Sequence, residues 1–114
     1  MEKVSRENAE HYVWGGVCDG WHLLKSIGLS VIQERVPPGG AEVEHCHEKA
    51  HQFFFVLSGE ATMEIGEKRL VLGPQQGVSI PPKITHRLLN EAKEDLSFIV
   101  VSSPMSHGDR VLGG

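Results

Sequence analysis

Residues 45–47 read His-Cys-His. In an extended strand successive side chains point to opposite faces, so His45 and His47 project to one side and Cys46 to the other. Two imidazoles two residues apart on one face form a chelating pair for a metal ion. Four residues beyond His47 stands a further imidazole, His51, followed at once by Gln52. The apolar run 53–57 then closes on Ser58-Gly59, a turn signal. The segment reads as strand, short turn and strand, with nitrogen and oxygen donors gathered at one end of a hairpin.

The rest of the chain reads as further strands that would position this hairpin. Residues 1–11 are polar and carry no apolar stripe of helical period, as an arm or frayed tail would. From Tyr12 short apolar segments alternate with glycine, which favours strands and turns over helix, and Trp14 and Trp21 require cover in the core or a subunit contact. Residues 27–36 are β-rich and end at Pro37-Pro38-Gly39-Gly40, which cannot continue a ladder and turns the chain into residues 41–47. Residues 60–65 and 68–72 form a hairpin about Gly66-Glu67; strands follow at 77–80, 86–89 and 96–101.

About eight short strands, with no sustained helical period, point to an antiparallel sandwich or barrel of jelly-roll type. At 114 residues the chain is one domain with one core, divided as N-terminal arm and strands 1–26, barrel 27–101 and tail 102–114. Three consecutive phenylalanines, Phe53 to Phe55, put aromatic rings on both faces of one strand. The outer rings need cover, and a second subunit, giving a homodimer, is the simplest source. The alternative cover is the N-terminal segment carrying Trp14 and Trp21.

Composition excludes several classes. The net charge is −4 and the basic residues are scattered, which argues against a nucleic-acid surface. No apolar run approaches the roughly 18 residues of a membrane span, and the Met-Glu-Lys opening lacks an apolar signal region, so a cytoplasmic protein with no membrane partner is expected. Cys18 and Cys46 are expected as free thiols. His11, His22 and His107 are assigned to packing or the surface, Glu44 and Glu48 to solvent, and Asp109 with Arg110 to a surface ion pair of little energetic weight.

Two stretches carry a resemblance. Gly40, His45, His47, Gln52 and Gly59, and then Pro81, His86 and Asn90, resemble the two signature motifs of the cupin superfamily, small single-domain cupin-2 type. The resemblance covers residues 30–101 and implies an all-β antiparallel jelly-roll barrel, the double-stranded β-helix. It also implies that His45, His47 and His86 bind a metal, with Gln52 as the fourth ligand where the family carries glutamate, and His51 as the alternative to Gln52. Gln75 and Lys83 occupy positions where the family carries glycine. A neutral glutamine removes one formal negative charge, which either weakens binding of a divalent cation or leaves it more Lewis-acidic. Imidazole ligands suit a divalent transition metal such as Zn, Ni, Fe, Mn or Cu over Mg or Ca.

The implied pocket is lined by Phe54, Val56, Met63, Ile80, Leu88 and Phe98 or their neighbours, an apolar small-molecule site with few convergent polar groups. The residues show no second carboxylate pair, phosphate loop or nucleophile beside a base, so a bound metal and its water would carry any catalysis. Two functions follow: a metal-dependent dioxygenase or isomerase, and a non-catalytic cupin module that binds or senses a small ligand or sugar. A structural barrel with a vestigial site is a third reading, opposed by retention of all three histidines.

Overall fold

In the computed structural model, which describes residues 1–106 and 109–112, the architecture is all-β. Among the described residues there are eleven strands and no helix. They are β1 (Glu10–Trp14), β2 (Cys18–Lys25), β3 (Ser30–Val36), β4 (His45–His47), β5 (His51–Ser58) and β6 (Ala61–Ile65), then β7 (Lys68–Leu72), β8 (Gly77–Ile80), β9 (His86–Leu89), β10 (Leu96–Ser103) and β11 (Arg110–Leu112). One antiparallel sheet has the order β1-β2-β3-β10-β5-β8 and the other β11-β4-β9-β6-β7. This is the jelly-roll expected from the strand pattern.

Period-two patterning explains which residues meet. Along β3 the buried positions are Ser30, Ile32, Glu34 and Val36, and along β10 they are Leu96, Phe98, Val100 and Ser102. In β5 they are Gln52, Phe54 and Val56. Pairing aligns these positions into rows: Ile32, Val100 and Phe54 form one, and Ser30, Ser102 and Gln52 the next. A one-residue slip would turn each set outward, so the register is strongly specified. The second sheet closes the core with Ala61, Met63, Leu72 and Leu88. Truncating Phe98, fully buried between the sheets, to alanine would cost about 3–5 kcal/mol.

The ends of the chain depart from the sequence reading. Glu10 and His11 belong to β1, which pairs with β2, so the N-terminal segment widens the first sheet. The C-terminal tail contains β11, which pairs with β4 in register Arg110↔His47 and Leu112↔His45. The tail therefore borders the histidine strand. Three residues are too few to show a strand period, and tertiary pairing alone supplies this one.

The N-terminal arm does not cover the outer phenylalanines. The Arg6 guanidinium sits 4.1 Å over the Trp21 ring, leaving Trp21 buried, but β2 is separated from β5 by β3 and β10. Phe53 stays 42% exposed and stacks on Phe55 with ring centroids 6.2 Å apart.

Candidate metal centre and its cavity

Three histidines from two separate hairpins converge. His45 faces His86 directly across the β4–β9 pair, and His47 lies two residues along the same strand face. Ring centroids are 4.4 Å apart for His45–His86, 5.0 Å for His45–His47 and 5.9 Å for His47–His86. One ring nitrogen from each can be chosen so that all three lie within 4.8 Å of one another, and all three side chains are buried. The turn delivering His86 holds although Lys83 replaces a glycine: Lys83 takes φ 70° and donates its N–H to His47 O at 2.6 Å. Gln75, the other substituted glycine position, also takes positive φ, 66°.

Backbone carbonyls fix two of the rings. His45 Nδ1 lies 2.7 Å from Val43 O and His86 Nδ1 lies 2.9 Å from Ile84 O, each a carbonyl two residues upstream. Such an outer bond orients the ring and leaves Nε2 as the donor to a metal. His47 Nδ1 is buried with no hydrogen-bond partner among the described residues. Burial, then the neighbouring His86 and the Arg110 guanidinium, hold His45 down to about 4, and burial first also lowers His47 and His86. The rings are neutral at neutral pH, as metal ligation requires.

Gln52 is buried and enters the same cluster. Its Oε1 lies 3.1 Å from His86 Nε2, while its Nε2 donates to Ser102 Oγ at 3.0 Å. A neutral imidazole carries one proton, so His86 cannot donate to both Ile84 O and Gln52 Oε1. With the proton on Nδ1, two lone pairs face each other. A cation between them relieves that conflict, and ligand atoms about 2.1 Å from one ion stand roughly 3.0–3.4 Å apart. The donor set therefore fits a divalent transition metal. His51 is exposed on the other face of β5, with Nε2 on the Ser79 hydroxyl.

The remaining sequence assignments resolve plainly. Cys18 and Cys46 are free, and Cys46 faces away from the imidazoles. His11 bonds Asp19 at the surface, His22 packs on Tyr12 away from the cluster, and His107 lies outside the described residues. Glu44 and Glu48 are exposed. Asp109 and Arg110 do not form the expected surface pair. Asp109 Oδ2 accepts from Lys49 N and Ala50 N, both at 2.9 Å, and Arg110 Nη2 reaches Val43 O and lies 3.3 Å from His45 Nδ1. Pairing of β11 with β4 directs the two side chains to different parts of the site.

Beside the histidines lies a cavity of about 210 Å³, bordered by His45, His47 and Gln52, by the apolar Ile32, Phe54 and Val100, and by Tyr12, Glu34, Glu42 and Arg110. Of the six residues named, Phe54 borders it together with its row neighbours Ile32 and Val100, while Val56, Met63, Ile80, Leu88 and Phe98 belong to the filled core. The expectation of few polar groups and no second carboxylate pair is overturned. Glu34 takes the inward phase of β3 between Ile32 and Val36, a carboxylate on an apolar strand face, and that phase was the available signal. Tyr12 Oη donates to Glu34 Oε2 at 2.6 Å. Tyr12 pairs with Gly20 across β1 and β2, and a Cβ there would collide with the tyrosine ring, so the glycine makes room for this contact. Glu42 Oε1 accepts from Leu88 N at 3.0 Å. Burial, then the charge of Glu42, pushes Glu34 up to about 8; burial pushes Glu42 up to about 7.

The fold and site can be set against known proteins. The family model described as Cupin domain matches residues 32–102, most of the chain and all four of His45, His47, Gln52 and His86. The chain is a cupin. The cupin segment is 37% identical over 87 residues to the xanthan biosynthesis protein XanB of Xanthomonas campestris pv. campestris, covering 73% of this chain but only 19% of XanB. KdgF from Halomonas sp. superposes with a TM-score of 0.85 at 16% identity, covering 94% of this cupin and 98% of KdgF. A sugar phosphate isomerase of the cupin superfamily from Silicibacter pomeroyi superposes at 0.79 and 17% identity, covering 91% and 76%. At such identities the two structures show a shared fold. Among the described residues no helix is long and apolar enough to cross a membrane.

Proposed function

We propose that this cupin is a metal-dependent enzyme that rearranges a small oxygen-bearing molecule, an isomerase-type activity, with His45, His47, His86 and Gln52 as the metal ligands. The observation that carries this reading is the convergence of three buried imidazoles with the Gln52 oxygen 3.1 Å from His86 Nε2. A divalent transition metal held there supplies a Lewis acid of undiminished charge, because all four donors are neutral. The chain's own residues do the rest. Val43 O and Ile84 O orient two imidazoles, Ser102 orients the Gln52 amide, and Ile32, Phe54 and Val100 form a dry wall for the substrate. The cavity is smaller than the roughly 300–1,000 Å³ of sites for drug-sized ligands, so the substrate is a small metabolite. A cupin named as a sugar phosphate isomerase shares this fold, so the fold admits the isomerase class.

The test is metal analysis of protein purified without chelator, followed by turnover of sugar phosphates and small hydroxy-carbonyl compounds alongside oxygen uptake. Stoichiometric transition metal and isomerisation lost in His47→Ala support the proposal. Oxygen consumption dependent on His47 would replace the isomerase with a dioxygenase. Tight metal with no turnover would make the protein a binding or sensing module.

The same proposal includes a homodimer through the outer face of the first sheet. Phe53 and Phe55 are paired there with Val101 and Ile99, and Val31 lies on the far side of Val101. This apolar row keeps Phe53 substantially exposed in a single chain. The cytoplasm is the proposed location, and neither nucleic acid nor membrane is a proposed partner.

A further inference from the structure

The cavity has a second chemical wall that the metal reading leaves without a role. Glu34 and Glu42 border it together, Glu34 from β3 in the first sheet and Glu42 from the segment leading to β4 in the second. Glu34 is 8% exposed, and among the described residues neither carboxyl forms an ion pair with a lysine or arginine. Placing a buried Glu34 and a half-buried Glu42 together, with only the charge of Arg110, unbonded to either, across the same cavity, is costly. Each is nevertheless held in place, Glu34 by the Tyr12 hydroxyl and Glu42 by the Leu88 N–H. Their surroundings differ, and two carboxyls with different surroundings facing one cavity can divide acid and base roles. His47, whose Nδ1 is buried without a hydrogen-bond partner among the described residues, borders the same cavity.

We propose that Glu42 and Glu34 are the proton-transferring pair of this site, Glu42 as the base and Glu34 as the acid, acting on a small hydroxy-aldehyde or hydroxy-ketone. This rests on the cavity being the substrate site of the proposed isomerase. The Glu42 carboxylate removes the proton from the carbon bearing the hydroxyl next to the carbonyl. The C–H electron pair becomes the C=C bond of an enediol while the carbonyl oxygen takes the proton of the Glu34 carboxyl. In the second half the Glu42 carboxyl protonates the former carbonyl carbon. The other hydroxyl of the enediol forms the new C=O as its proton passes to Glu34. Both carboxyls regain their starting state and no oxidant or reductant is consumed.

The experiment incubates the metal-loaded protein in D2O with two- to six-carbon hydroxy-aldehydes, hydroxy-ketones and their phosphates, and reads deuterium entering the C–H next to the carbonyl by NMR. Metal content is measured on the same samples. The expected result is exchange above the protein-free rate with at least one compound. Glu42→Gln and Glu34→Gln are expected to lower it about 10²–10⁴-fold with metal content unchanged. Glu42→Asp, which withdraws the carboxylate by one methylene, slows exchange to an intermediate rate. Circular dichroism confirms that each variant is folded, and Glu42→Asp decides the matter if a glutamine variant is not. Exchange at the wild-type rate in the folded Glu42 variants, or no exchange with any compound by the metal-loaded protein, overturns the acid–base pair. Exchange that persists with no metal bound and depends on Glu42 supports the pair while overturning the metal-dependent reading, so the two fail separately.

Discussion

His45 and His86 face each other across the β4–β9 pair with ring centroids 4.4 Å apart, and each ties Nδ1 to the carbonyl two residues before it. The two rings are thus oriented by the same local device on two different strands. Each Nε2 is left available to a shared partner, and the consequences can be tested by substitution.

Metal content should fall more in Gln52→Ala than in His51→Ala. Gln52 is buried with Oε1 beside His86 Nε2, whereas His51 is exposed and engaged with Ser79. Ser102→Ala, which removes the group orienting the Gln52 amide, should weaken metal affinity about 10–100-fold. Calorimetric titration of the apo-protein with Zn²⁺ or Ni²⁺ gives the ranking, and a larger loss in His51→Ala would transfer the fourth position to that residue.

Stability should fall as pH rises from about 7 to about 8, above the ordinary histidine range. The folded state holds Glu34 near 8 and Glu42 near 7, both above an ordinary carboxyl, so these two groups bind more protons than in the unfolded chain, whereas below about 6.5 the three histidines, neutral in the fold and protonated when unfolded, act in the opposite sense. The stabilising contribution is complete below the unfolded value and is lost as pH passes the folded ones. Glu34 is faced by Tyr12 from β1, by Glu42, and by Arg110 from β11, whose positive charge moderates the effect. Denaturant midpoints across this range should slope less in Glu34→Gln than in the wild type; an unchanged slope would place the proton uptake elsewhere.

Gly59→Ala should destabilise the fold by roughly 1–3 kcal/mol. Gly59 has φ 82°, and a Cβ there would lie 2.9 Å from the Leu96 Cα, a backbone atom that cannot swing aside. Urea unfolding of this variant beside Gly66→Ala, a turn position with open space for a Cβ, separates steric collision from the shared positive φ.

Asp109→Ala should loosen the strand that borders the histidines. The carboxylate accepts from both Lys49 N and Ala50 N in the turn between β4 and β5, so its removal frees two amides. Faster hydrogen exchange at residues 49 and 50, with metal affinity reduced but not abolished, is the expected outcome. Unchanged protection would show that β11 is held by its pairing with β4 alone.

Phe53→Glu should convert a two-chain species to one chain in solution while leaving metal content intact. The substituted position lies on the outer face of β5, opposite to the face carrying Gln52. Light scattering decides, and a wild-type protein that is already a single chain would remove the dimer.

The strand pattern and the His45–His47 pair were legible in the chain because both are period-two properties, whereas His86 and Gln52 as their partners were implied by the resemblance to the cupin motifs. The His-any-His spacing of 45 and 47 forces the rings to one side whatever the sheet does. Five of the six named pocket residues fill the core, while Phe54 and its row neighbours line the cavity, because an inward-pointing side chain says nothing about which part of the interior is filled and which is hollow. Glu34 shows the same limit: it stands in the inward phase beside Ile32 and Val36, yet its neighbours Tyr12, on β1, and Glu42, in the segment before β4, come from elsewhere in the chain.

By itself the order of residues determined that this chain makes strands, where they turn, and that His45, His47 and Gln52 carry donors at the end of one hairpin. These are local properties, set by alternation and by prolines and glycines that end a ladder. Only the tertiary structure decided that β11 borders His45, that Gly20 admits the Tyr12 ring, and that the Glu34 and Glu42 carboxyls share a cavity with the His45 and His47 imidazoles. Each of those depends on pairing between distant segments, which no spacing along the chain encodes.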